Sequence, residues 1–161
     1  MVVLALKKEL VEKLRQDLAA AERAHRATLA GATHEEAKPE NDKDTRALEQ
    51  TYLARGQAQR VEELRLAIAR VESMPLRPSE RGGGERVTLG ALVSVKQEHD
   101  GTETTYWLAP EGGGAELTGG VHVVTPQSPL GRALVGKEAG DVVEATIGGK
   151  VKVFEVLKSR Y

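Results

Sequence analysis

Of the seventeen glycines in this chain, only Gly31 and Gly56 fall within residues 1–80; the rest crowd into residues 81–161. A helix-interior glycine costs about 1 kcal/mol relative to alanine, so long helices stay poor in it. The imbalance therefore divides the chain into halves that obey different rules. The first is rich in Ala, Leu, Glu, Gln and Arg, the strong helix formers. The second sets β-branched runs between glycine pairs and triples, which is strand-and-turn chemistry. The changeover is Met74-Pro75-Leu76-Arg77-Pro78, followed by Arg81-Gly82-Gly83-Gly84. Two prolines stop a helix and three glycines make a flexible joint. The expected division is residues 1–76, a linker at 77–85, and a second domain at 86–161.

In the first half, Leu4, Val11, Leu14, Leu18 and Ala21 recur at spacings near three and four, as do Val61, Leu64, Ile68 and Val71. Between the two series lie Ala30-Gly31-Ala32-Thr33 and Pro39, with Asp42 or Asp44 placed to cap a new helix. The pattern predicts an antiparallel helical hairpin with a short tip. Its second arm, from about residue 42 to 73, would run about 48 Å at 1.5 Å per residue. The apolar seam thins toward the tip, where His25, Thr28, Gln50 and Gln57 take seam or near-seam positions. The tip is acidic: Glu35, Glu36, Glu40, Asp42 and Asp44 stand against Lys38 and Lys43. Acids favour a helix N-terminus, which accounts for them without any ligand. They would equally suit Mg²⁺, which takes one or two protein carboxylates together with phosphate oxygens.

The second half predicts a curved antiparallel sheet. Strands are expected over 86–95 with a break at Gly90, 103–108, 121–124, 142–147 and 150–157, the last two joined by Gly148-Gly149 in a primed turn. Ser128 at the N-cap, Pro129 at N1 and Gly136 at C′ mark both ends of a two-turn helix. The class is α+β.

Composition excludes several functions. With no Cys there is no disulfide framework, thiolate zinc site or Cys nucleophile. A net charge of −1 and 3% aromatic content argue against gripping RNA directly. No apolar run approaches the roughly 18 residues of a membrane span, and residues 1–15 carry no signal-peptide pattern, so a cytoplasmic protein without membrane contact is expected. His25, His34, His99 and His122 are dispersed without metal-ligand spacing. The triples at 82–84 and 112–114 lack the Lys-Ser/Thr of a phosphate loop.

The run Ser128-Pro129-Leu130-Gly131-Arg132-Ala133-Leu134-Val135-Gly136-Lys137, then Gly140-Asp141-Val142-Val143-Glu144 and Gly149 to Val156, resembles the C-terminal signature of the bacterial Gre transcript-cleavage factors. Arg86 to Val95 fits that family's opening strand. The resemblance implies an N-terminal coiled-coil hairpin and a C-terminal FKBP-like domain. It implies binding to bacterial RNA polymerase, with the coil entering the secondary channel and tip acids beside the catalytic Mg²⁺ of the polymerase. Backtracked RNA would then be cleaved by the polymerase, so the chain is expected to be no enzyme, to carry no cofactor of its own and to meet the RNA 3′ end only indirectly. The FKBP-like fold also raises prolyl isomerase activity, but Tyr106, Trp107, Phe154 and Tyr161 are few rings for an aromatic-lined cleft.

One departure bears on the mechanism. The cleaving factors carry Asp-x-x-Glu at the tip; the matching positions here are Glu40 and Lys43. Lysine offers no acceptor lone pair. Asp42 and Asp44 flank it, and Glu40 with Asp44 forms an i, i+4 pair if the helix begins early. The expected metal-directed acids are Glu40, Asp42 and Asp44; the expected partner-facing residues are Ser128, Pro129 and Arg132. For the latter, helix capping (Ser128, Pro129) and a solvated surface charge (Arg132) are the competing readings. Three functions stay open: cleavage stimulation by a monomer, channel occupation without cleavage, and an adaptor whose seam residues pair with a second chain.

Overall fold

A computed structural model describes residues 2–36, 43–76 and 86–161. Helix α1 spans Val2–Glu36 and α2 spans Lys43–Ser73. There follow β1 (Leu92–Gln97), β2 (Glu103–Leu108), β3 (Glu116–Leu117), β4 (Val121–Val124), α3 (Pro129–Leu134), β5 (Val142–Ile147) and β6 (Lys150–Arg160). The architecture is the α+β class expected: long paired helices, then one sheet with a short helix. The expected linker, 77–85, lies outside the described residues.

Contacts gather the chain into two compact units. One is Glu12–Ile68, built from the two long helices. Leu14, Val61, Leu64, Ala67 and Ile68 are buried there. Arg65 ties the arms together, with one guanidinium nitrogen 3.2 Å from Glu22 of α1 and the other 2.6 Å from Glu62. These carboxylates, Glu62 foremost, push the Arg65 pKa above its ordinary value. His25, Thr28, Gln50 and Gln57 are half-buried, as the thinning seam predicts. Gly31 does not end α1. It sits exposed with nothing within 4 Å of a built Cβ, and the helix runs on to Glu36. A single exposed glycine costs too little to break a helix of 35 residues.

The second unit joins Met1–Val11 and Ala69–Tyr161. Its sheet has the order β3-β4-β2-β1-β6-β5. The ladders are antiparallel except β2 with β4, which run parallel. That parallel pair departs from the expected antiparallel sheet. The chain leaves β2 through residues 109–115, makes the small β3 and turns back at Gly119-Gly120, so β4 enters beside β2 in the same direction. One face of the sheet packs α3: Leu130 and Leu134 join Val93, Val95, Leu108, Val143, Phe154 and Val156. The register places Leu92, Trp107 and Val123 in one row, and all three are buried outside that cluster. Val3, Leu6, Leu10, Val71 and Met74 are buried in the same unit. A sheet apolar on both faces needs a cover on each. Leu4, expected in the seam, is 37% exposed instead.

Residues 86–89 do not form the expected first strand. Val87 bonds across to the end of α3, donating to Lys137 O at 2.8 Å and accepting from Gly136 N at 2.7 Å. Gly90, with φ +96°, then turns the chain into β1.

Candidate functional site

The Ser128–Gly136 segment is a capped helix tied tightly to its approach loop. Ser128 is extended (φ −69°, ψ 155°), and its Oγ accepts from Gly131 N at 3.0 Å. The same hydroxyl donates to Thr125 O at 2.8 Å, and the Ser128 amide donates to that carbonyl at 3.1 Å. Pro129 occupies the first turn, where its missing N–H is no loss. Gly131 lies so close to the loop that an added Cβ would fall 1.8 Å from Thr125 O. Past the helix, Gly136 takes φ +81° and donates to Val87 O.

This geometry sorts the expected partner-facing residues. Ser128 is half-buried and its hydroxyl is committed in both directions to the fold. Pro129 and Arg132 are exposed, and Val135 beyond them is 43% exposed. The edge therefore offers solvent a proline ring, a guanidinium and an isopropyl group on a locked backbone. The edge carries no nucleophile–base pair. The close approach at Gly131 is not among the expected features, although a glycine inside a two-turn helix is its visible signal.

At the tip, Glu40 and Asp42 lie outside the described residues, and Asp44 is the second residue of α2. Carboxylate oxygens are the donors a hard cation requires. Among the described residues no group of three His, Cys, Asp or Glu side chains is placed to hold a metal alone.

The rings of residues 86–161 are spent in the fold rather than on a cleft. Trp107 is fully buried with its indole N–H donating to Gly90 O at 3.2 Å, and Phe154 sits in the core. Tyr161 OH donates to Arg86 O at 2.9 Å. Tyr106 is partly buried 6.0 Å from the His122 ring, and that burial raises its pKa above the ordinary 10.0. Among the described residues no helix is long and apolar enough to cross a membrane.

Comparison with known proteins shows what the chain is similar to. A family model described as transcription elongation factor GreA/GreB, C-terminal, matches residues 82–161. The transcription elongation factor GreA of Verminephrobacter eiseniae is 30% identical over 165 aligned positions, covering 100% of this chain and 99% of that protein. The chain belongs to the Gre family. GreA of Alkalilimnicola ehrlichii is 31% identical over 154 positions, spanning 93% of this chain and 92% of its own length. Among solved structures, Gfh1 of Thermus aquaticus covers 93% of each chain at 20% identity, with a TM-score of 0.43. As a Gre-family chain this is a transcription elongation factor rather than an enzyme. The GreA match runs through both the helical hairpin and the sheet domain.

Proposed function

We propose that this Gre-family chain binds bacterial RNA polymerase through the secondary channel and stimulates cleavage of backtracked RNA. The observation that carries the reading is the full-length match to GreA together with an exposed Pro129–Arg132 edge on a locked α3. In this account the edge docks on the polymerase, and the hairpin brings Glu40, Asp42 and Asp44 toward the catalytic metal. These carboxylates would supply oxygen ligands to Mg²⁺ held by the polymerase, whose chemistry in such a site is Lewis-acid polarisation of a phosphate and activation of water. The chain's own contribution is to deliver anionic donors and keep them beside the RNA 3′ end; it touches the RNA no further. It works as a monomer in the cytoplasm, where the polymerase is.

A halted, backtracked elongation complex with labelled RNA tests this. Adding the protein with Mg²⁺ shortens the RNA from its 3′ end. Lys43 at the position of the second family acid favours a second reading, a channel regulator that binds without cleaving. Saturating binding with RNA of unchanged length would decide for that reading, and absence of binding would defeat both. The adaptor reading predicts a stable dimer by light scattering, against the monomer expected here.

A further inference from the structure

The loop from Ala109 to Gly120 lies between two features that the functional reading treats separately. On one side it meets the base of the hairpin, within the same compact unit. Arg70 of α2 places a guanidinium nitrogen 2.6 Å from Glu111. Glu9 of α1 accepts the Thr118 amide on both carboxylate oxygens, at 3.0 and 3.1 Å. Leu10, 1% exposed, sits so close to Gly112 that an added Cβ there would lie 2.6 Å from its Cδ1. Gly112 has φ +83°, a conformation that disfavours any side chain. On the other side the loop meets the docking edge. A Cβ on Gly113 would lie 3.2 Å from Thr125 Cγ2, and Thr125 is the residue whose carbonyl anchors Ser128. The loop is itself held to β4, with Ala109 N donating to Val124 O and Gly114 N to Val123 O. Lys7 completes the base by donating to Glu72 O and Met74 O, both at 2.8 Å, at the end of α2.

We propose that loop 109–120 is the coupling element between the polymerase-docking edge and the hairpin, with Glu9, Leu10, Arg70 and Glu111 as positioning residues. The proposal rests on the functional reading above. Packed side chains and ion pairs that touch in sequence are the physical means by which one site constrains another. Gly112 and Gly113 serve it by letting Leu10 of α1 and Thr125 approach adjacent residues of the same turn. The ion pair is the part that can be inverted without opening the core, because Arg70 is 62% exposed and Glu111 28%.

Charge reversal in the full chain tests this. Arg70→Glu and Glu111→Arg are each made alone and then together, and two readouts are taken. In the free protein, each single variant raises the exchange rate of the Thr118 amide about fivefold, and the double variant returns it to within about twofold of wild type. On the halted complex, each single variant keeps polymerase affinity within about twofold but slows cleavage about fivefold, and the pair together restores it. Unchanged Thr118 exchange in the single variants would overturn the clamp. So would a double variant that fails to rescue, or binding and cleavage that fall together. If wild type binds and never shortens RNA, the cleavage reading fails. The Thr118 pattern then decides the clamp, rescue supporting it and no rescue overturning it.

Discussion

Gly131 shows how much one residue can hold. Its missing Cβ lets α3 settle against the Thr125 carbonyl, and this fixes the backbone that presents Pro129 and Arg132. A methyl group at 1.8 Å from a backbone oxygen has no room to adjust. Gly131→Ala should therefore cost about 2–3 kcal/mol, in the range of overpacked cores, read from the urea midpoint; an unshifted midpoint would mean the helix can slide. A different kind of cost sits in the hairpin seam, where His25 Nδ1 and Gln57 Oε1 are buried without a hydrogen-bond partner. Replacing both with leucine removes two unsatisfied groups and adds apolar surface. The double variant should gain about 1 kcal/mol and melt higher, and a lower melting temperature would show that the pair is satisfied in solution.

At the scale of elements, legibility followed the strength of local chemistry. The α3 helix was readable to the residue because Ser128, Pro129 and Gly136 each have a backbone reason to be where they are. Strands β2, β4 and β5 were readable from β-branched runs bounded by glycine. The failures were non-local. Arg86 to Leu89 reads as a strand, yet Val87 pairs with Gly136 and Lys137 at the end of α3, a partner about fifty residues away that no window contains. The two-residue β3 and the parallel β2–β4 pair escape for the same reason. Gly31 misled in the opposite sense, since a strong local breaker yields to a long helix on both sides. At the α3 edge the sequence offers Ser128, Pro129 and Arg132 alike, and only the structure separates Ser128, bound inward, from Arg132, exposed. Arg132→Glu should weaken polymerase binding about tenfold, as loss of a steering cation does, and leave the melting temperature unchanged. Equal binding by the variant would remove Arg132 from the interface.

For the whole molecule, the acidic tip and the near-zero net charge belong to one account. A chain of net charge −1 with few rings is poorly made to hold RNA itself. In the proposed function it acts on RNA by lending carboxylates to another protein's metal. Arg70 and Glu9 meet loop 109–120, and in the proposal above these contacts join docking to delivery. The measurement that reaches the centre of this account is cleavage by the Glu40→Ala, Asp44→Ala double variant on a halted, backtracked elongation complex, with polymerase affinity measured alongside. The account predicts wild-type affinity with RNA left at full length, while the unaltered protein shortens it. RNA shortened as fast by the variant as by wild type would contradict the claim that the tip acids do the work.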